Sequence, residues 1–278
     1  MRTRRPLARI GLFAAIVVAA LALVVVARRG PRRAAGNIPR TPTGGAAQAE
    51  DARAAVEEEG GTLASALVED ARRYRVRTWS FGLDRYELRI EDANLTTALD
   101  TVLTRTEAEL VVNGGFFDPD GKPVGLVVSN GAVLSRLAKK LSGGVLTWDG
   151  TRADLFAAED FVLPDGGTFA IQCRPRLVVD GHAHVKSDDG KRAERTALCT
   201  REEGRILDVV IVRGSDDGES PGPSLFALAQ YLADAGCESA LNLDGGPSTG
   251  VAWREGDGVK LLAPRGPVRH VVAFHARR

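Results

Sequence analysis

The chain has 278 residues, 44% hydrophobic and 26% charged, which is enough for one large domain or two small ones with a buried core. Its formal charge of +1 conceals an asymmetry: eight arginines and no acid precede position 34, leaving 29 bases against 36 acids, a net −7, in the remainder. A body that acidic, without a basic stripe interleaved with aromatics, argues against a nucleic-acid partner.

Residues 1–9 are basic, and residues 10–27, IGLFAAIVVAALALVVVA, carry no charge. That is about the shortest run that spans a bilayer as a helix, so it reads as a membrane anchor or a signal segment. Arginines follow Val25-Val26-Ala27 where a cleavage site would need small or neutral residues, which favours an uncleaved anchor. Residues 28–61, rich in Ala, Gly, Pro and charge without an apolar period, read as a tether. The expected organisation is a folded body over residues 62–278, held by its anchor at the cytoplasmic membrane and facing the periplasm or cell exterior. Cleavage would make it a secreted protein.

Within the body, a short amphipathic helix is expected over Thr62 to Arg72, then strand-like alternation from Tyr74 to Ile90 around Gly82 and Asp84. Leu95, Ala98, Leu99, Val102 and Leu103 space as one helix face, and the apolar run ELVV leads straight into Asn113. Strand-like segments follow, with Asn130-Gly131, Asp149-Gly150 and Asp180-Gly181 between them as hairpin turns. The last clear helix is PSLFALAQYLADAG, which Ser224 can cap and Gly236 stops; strands around SALNLD, Val259 to Leu262 and Val268 to Phe274 close the chain. The predicted fold class is α+β: a single domain with extensive mixed or antiparallel sheet and a few helices, preceded by one transmembrane helix.

Two segments share an unusual construction, ELVVNGGFFDPDG (Glu109 to Gly121) and SALNLDGGPSTG (Ser239 to Gly250). Each sets a polar side chain and a Gly-Gly pair at the end of an apolar strand, where a carboxamide or carboxylate can meet a ligand and glycine lets backbone approach it. A plain hairpin turn is the simpler reading of either segment alone. Asp118-Pro119-Asp120-Gly121 lacks the spacing of a calcium loop and reads as a tight turn. Gly246-Pro247-Ser248-Thr249-Gly250 fits the G-x-S-x-G pattern of a serine hydrolase, but strand-turn-strand follows where a nucleophile elbow requires a helix. His182 and His184 would share one strand face without a third ligand, so no metal site is assigned. Arg174, Arg176 and Arg195 fall on strands, where a guanidinium fork could hold a carboxylate or phosphate, or form a surface ion pair. Cys173, Cys199 and Cys237 cannot all pair within one chain; they are either small buried residues or, after export, include a bridge, expected between Cys173 and Cys199.

The segments ELVVNGGFFDPDGKPVGLVVSNGAVLS, PRLVVDG, RTAL and LFALAQYLADAGCESALNLDGG resemble, in that order, the phosphodiester glycosidase family. The resemblance spans about Tyr74 to His275 and implies hydrolysis of a sugar-phosphate diester in a glycan. It implies a site with Asp244, Asp118 and Arg195 as catalytic residues. Asn113, Gly114, Gly115, Asn242, Gly245, Gly246 and Ser248 would contact the substrate, and the strand arginine Arg174, read from its own position rather than from the resemblance, is expected to join them. No cofactor is expected. Three positions depart from the family pattern: Pro247 stands where a third glycine is common, Glu194 where a small residue is usual, and Arg213 where an aspartate is typical. Expulsion of a phosphate needs charge neutralisation more than a strong acid, so Arg195, Ser248 and the loop N–H groups near Gly245 are expected to clamp it. A non-catalytic glycan-binding module and a serine esterase using Ser248 are the competing readings.

Overall fold

The computed structural model describes residues 63–278. The expected anchor and tether lie outside these residues; among the described residues no helix is long and apolar enough to cross a membrane.

Three antiparallel sheets surround one core. The first has seven strands: β1 (Leu63–Glu69), β2 (Arg72–Gly82), β10 (Arg176–Val179), β11 (His182–Ala183), β12 (Arg195–Arg201), β13 (Ile206–Ser215) and β14 (Ser239–Asn242), in the order β1-β2-β13-β12-β14-β10-β11. The second contains β3 (Tyr86–Asp92), β4 (Leu110–Asn113), β15 (Val251–Glu255), β16 (Gly258–Leu262) and β17 (His270–Ala276), ordered β16-β15-β4-β17-β3. The third contains β5 (Val127–Ser129), β6 (Ala132–Ser135), β7 (Gly144–Trp148), β8 (Ala153–Ala157) and β9 (Phe169–Cys173), ordered β6-β5-β9-β7-β8. Two α-helices, α1 (Leu99–Thr106) and α2 (Leu225–Asp234), accompany the sheets among the described residues. It is thus mostly β, and its strand pairs are antiparallel rather than mixed.

Successive strand side chains point to opposite faces, and the apolar runs are divided accordingly. On β13, Leu207, Val209 and Ile211 enter the central core, whereas Val210 and Val212 face α2. On β4, Leu110 and Val112 enter the core and Val111 packs under α1 with Val271 and Ala273 of β17. Continuous apolar sequence such as LVV therefore records burial on both faces.

Ser224 caps α2 by accepting the Ala227 N–H at 3.0 Å. The Asn-Gly and Asp-Gly turns join β5 to β6, β7 to β8 and β10 to β11, as their dipeptides predict. Two expectations are corrected. The helix expected over Thr62 to Arg72 is a hairpin: Asp70 and Ala71 turn with φ of 49° and 62°, and buried Leu67 pairs with buried Tyr74 across it. Cross-strand burial overrides the local helical spacing. The first helix begins at Leu99 rather than Leu95, because Asn94 and Leu95 are left-handed (φ 49° and 62°) and the Leu95 N–H donates to the Val268 carbonyl.

The bridge expected between Cys173 and Cys199 is instead Cys199–Cys237. Cys199 on β12 faces Ala240 of the neighbouring β14, and Cys237 lies two residues before that strand begins. Cys173 ends β9 in another sheet, free and buried, and burial pushes its thiol up to about 12.

Candidate active site

The cleft opens where β14 runs out between its neighbours. Ala197 of β12 lies opposite Asn242, and Arg176 of β10 lies opposite Leu241. Beyond the paired residues, Leu243 N–H donates to Thr196 O and Asn242 N–H to Pro175 O, so both registers continue to the strand end. Asp244 thereby emerges with Arg195 on one flank and Arg174 and Arg176 on the other. All four residues line a cleft of about 820 Å³.

Asp244 is half-buried. Burial pushes its carboxyl above the usual carboxylate range, opposed by the Ser248 hydroxyl and by the Gly245 N–H, which donates to Oδ1 at 2.9 Å. The single Ser248 proton has a second acceptor in the Pro267 carbonyl at 3.1 Å, so its support of the carboxylate is shared. Arg195 is buried and anchored by its own donors: Nε to Pro223 O at 3.0 Å and Nη2 to Lys191 O at 3.1 Å. Burial draws its pKa below the ordinary arginine value, the condition in which a bound anion gains most. No carboxylate pairs with Arg174, Arg176 or Arg195 within 4.0 Å among the described residues.

The glycine pairs do something other than admit ligand. Any Cβ on Gly114 would lie 2.4 Å from the His270 ring, and one on Gly245 would lie 2.7 Å from the Glu194 carbonyl oxygen. Both glycines exist so that protein packs against them. Gly115 likewise lies against His270 and Cys173; only Gly246, with φ 58° and open space beside it, lines the cleft unencumbered.

The expected backbone clamp is also corrected, because the loop amides are spent inside the protein. Gly114 N–H donates to His270 O, Gly115 N–H to His270 Nε2 at 3.0 Å, and Gly246 N–H to Glu194 O at 2.8 Å. Gly245 N–H already serves Asp244, leaving the arginine side chains as the anion donors. Pro247 accordingly costs the turn no needed donor; its carbonyl accepts the N–H groups of Arg265 and Gly266.

Asn113, expected to contact substrate, is fully buried and structural. Its Oδ1 accepts from Thr196 Oγ1 at 2.7 Å and Gly250 N at 3.2 Å, while Nδ2 donates to Asp244 O at 2.7 Å. Asn242 does line the cleft; Nδ2 donates to Arg174 O and Leu243 O, and Oδ1 is buried without a partner. Asp118 is not brought to the cleft lining. It builds the tight turn instead, Oδ1 accepting Lys122 N–H at 2.8 Å and its carbonyl accepting Gly121 N–H.

Ser248 sits in a one-turn 3-10 helix, Gly246–Ser248, followed by β15, so the strand-to-helix elbow of a serine hydrolase is not built. His182 Nδ1 is occupied by Asp180 O, and no group of three or more His, Cys, Asp or Glu side chains has metal-binding geometry among the described residues.

Sequence reasoning missed Lys191, Glu159, Asp189 and Phe116 in the lining. Phe116 follows the Gly-Gly pair directly and was within reach; the charged residues come from irregular segments with no periodic signal. His270, 4% exposed, stands behind the first glycine pair; burial pushes its imidazole down to about 4 and keeps Nε2 an acceptor for Gly115.

Comparison with solved structures finds this architecture in a hypothetical protein from Synechocystis (17% identity, TM-score 0.61), covering 78% of this chain and 62% of that one, less than two thirds of its length. It is also similar to the catalytic domain of zebrafish N-acetylglucosamine-1-phosphodiester alpha-N-acetylglucosaminidase auto-inhibited by its pro-peptide (18% identity, TM-score 0.57), covering 78% and 83%. A putative exported protein from Burkholderia pseudomallei aligns at 14% identity and TM-score 0.52, covering 75% of each chain. No curated protein gives a significant match in sequence. The family model for phosphodiester glycosidase, however, matches residues 106–274, from the end of α1 through most of β17, and by that match the chain belongs to the phosphodiester glycosidase family.

Proposed function

We propose that the protein hydrolyses glycosyl phosphodiester linkages in a glycan, breaking the bond between the anomeric carbon and a phosphate oxygen. The observation that carries this reading is the placement of Asp244, a carboxyl made more basic by burial, between unpaired arginines in one cleft. Asp244 takes a proton from water as that water attacks the anomeric carbon. The bonding pair leaves with the phosphate, whose charge Arg195 neutralises, and a raised carboxyl pKa suits the base in this step. Asn242 supplies an acceptor for a sugar hydroxyl, and Gly246 and Phe116 shape the wall.

Membrane attachment through residues 10–27, a tether over 28–61 and an extracytoplasmic body over 62–278 complete the proposal. The Cys199–Cys237 bridge supports it, since such bonds persist in oxidising compartments. The test is release of free sugar from a panel of sugar-1-phosphodiesters. Release by the wild type and none by Asp244→Asn supports the assignment. Saturable glycan binding without release from any member would replace it with a binding module.

A further inference from the structure

The cations in the cleft stand on both sides of Asp244, three guanidinium groups where a single diester carries one charge. Arg195 begins β12 and Arg176 begins β10, with β14 between them. Two strand spacings separate their backbones by about 10 Å across the sheet, before any offset along the strands. A phosphodiester is one tetrahedral group with one negative charge, and Arg195 already serves it on the β12 side. Arg174 and Arg176, without a carboxylate partner among the described residues, are left facing the same space from the β10 side. The acids in the lining do not neutralise them: Asp189 pairs with Lys191 at 3.6 Å, and Glu159 makes no ion pair with either arginine. A volume of about 820 Å³ is also generous for a single sugar phosphate, near the top of the range of about 300–1,000 Å³ typical of small-molecule sites.

We infer that the cleft has two phosphate subsites flanking the reacting sugar, and that the substrate is an oligomeric or polymeric glycosyl phosphate bearing phosphate on both sides of that sugar. The inference deepens the proposed activity and rests on it for the position of the scissile bond. Arg195 holds the phosphate that leaves; Arg174 and Arg176 hold the phosphate of the adjoining repeat, which does not react. Its function is positional: with both ends held, the chain lies across the end of β14 and the anomeric carbon is presented to Asp244.

The experiment is calorimetric titration of the full-length Asp244→Asn chain in detergent with a synthetic hexose-1-phosphate trimer and with a methyl-capped single glycosyl phosphodiester. The trimer is expected to bind at least about tenfold more tightly, as one additional charge-assisted contact allows. Arg176→Ala, and separately the more exposed Arg174→Gln, are expected to weaken the trimer about tenfold and the single diester by clearly less. Equal affinity for the two ligands, or variants that weaken the trimer and the single diester equally, would overturn the second subsite. So would an equal gain from a glycosyl pyrophosphate, which places both charges on one side. Sugar release is followed in parallel with the wild type: failure to cleave either ligand defeats the hydrolase reading, while the affinity ratio still decides the subsite.

Discussion

Glu194 and Arg213 form an ion pair, Nε to Oε1 at 2.7 Å, with the carboxylate buried and its second oxygen held by Arg265 at 3.2 Å. The family resemblance leads one to expect other residues at both positions, and at Pro247 in the turn they support. Gly246 donates to the Glu194 carbonyl, and Arg265 and Gly266 donate to that of Pro247. The unusual residues therefore compensate one another and shape the wall of the cleft.

Removing one member should be costly. Arg213→Ala leaves a buried carboxylate short of its main partner and is expected to lose about 3 kcal/mol, or roughly 6–12 °C in melting temperature. Combining it with Glu194→Gln should cost less than the two losses summed, which thermal melts of the four proteins would reveal.

Asp244→Asn is expected to abolish turnover and raise stability. The folded carboxyl is pushed up by burial, so its ionisation opposes folding. Wild-type stability from this group is full below the unfolded value of about 3.9 and declines as pH rises through the higher folded value. The gain in melting temperature should therefore appear near neutral pH and vanish below about pH 4. A variant no more stable than wild type at pH 7 would contradict the burial argument.

His270 makes the opposite demand. Its folded pKa is down near 4 against an ordinary 6.5, chiefly through burial, with Arg269 adding to the effect and Asp92 opposing it. The stability it confers is complete above 6.5 and is lost as pH falls toward 4, by close to tenfold in the folding equilibrium per unit. His270→Gln can still accept the Gly115 N–H but cannot titrate, so its melting temperature should fall less steeply between pH 6.5 and 4. His275, also lowered by burial, is present in both proteins and cancels in the difference.

The two glycine pairs give a contrast within one motif type. Gly246→Ala meets open space and should cost only the left-handed penalty of about 1–2 kcal/mol. Gly114→Ala drives a methyl into the His270 ring and should cost distinctly more, with loss of activity. Comparable melting temperatures for the two variants would contradict this reading.

Reduction of Cys199–Cys237 opens a loop of 38 residues and is expected to cost about 4 kcal/mol, seen as a lower denaturation midpoint in reductant. Cys173→Ala should leave that response to reductant intact.

Much of the sheet was legible because turn chemistry is local: Asn130-Gly131 or Asp180-Gly181 announces a hairpin without reference to the rest of the chain. Ser224 and Gly236 bounded the second helix for the same reason. The β1–β2 hairpin escaped because its evidence is the meeting of Leu67 with Tyr74, which spacing within β1 does not contain. At the site, Asp244 and Arg195 were legible as motif residues, but the purpose of the glycines was not. A Gly-Gly pair says that something comes close; only the fold says that it is His270 and the Glu194 backbone. The disulfide was misassigned because strand adjacency, not sequence distance, decides which sulfurs meet.

Asn113 reaches across 131 residues of chain to the Asp244 carbonyl, and 83 to Thr196. Joining the ends of β4, β12 and β14 with one carboxamide makes the cleft a late product of folding, since such distant contacts form only after long loops have closed. A chain emerging from a ribosome has no complete cleft until its final quarter has docked. The fold itself thus times the completion of the cleft.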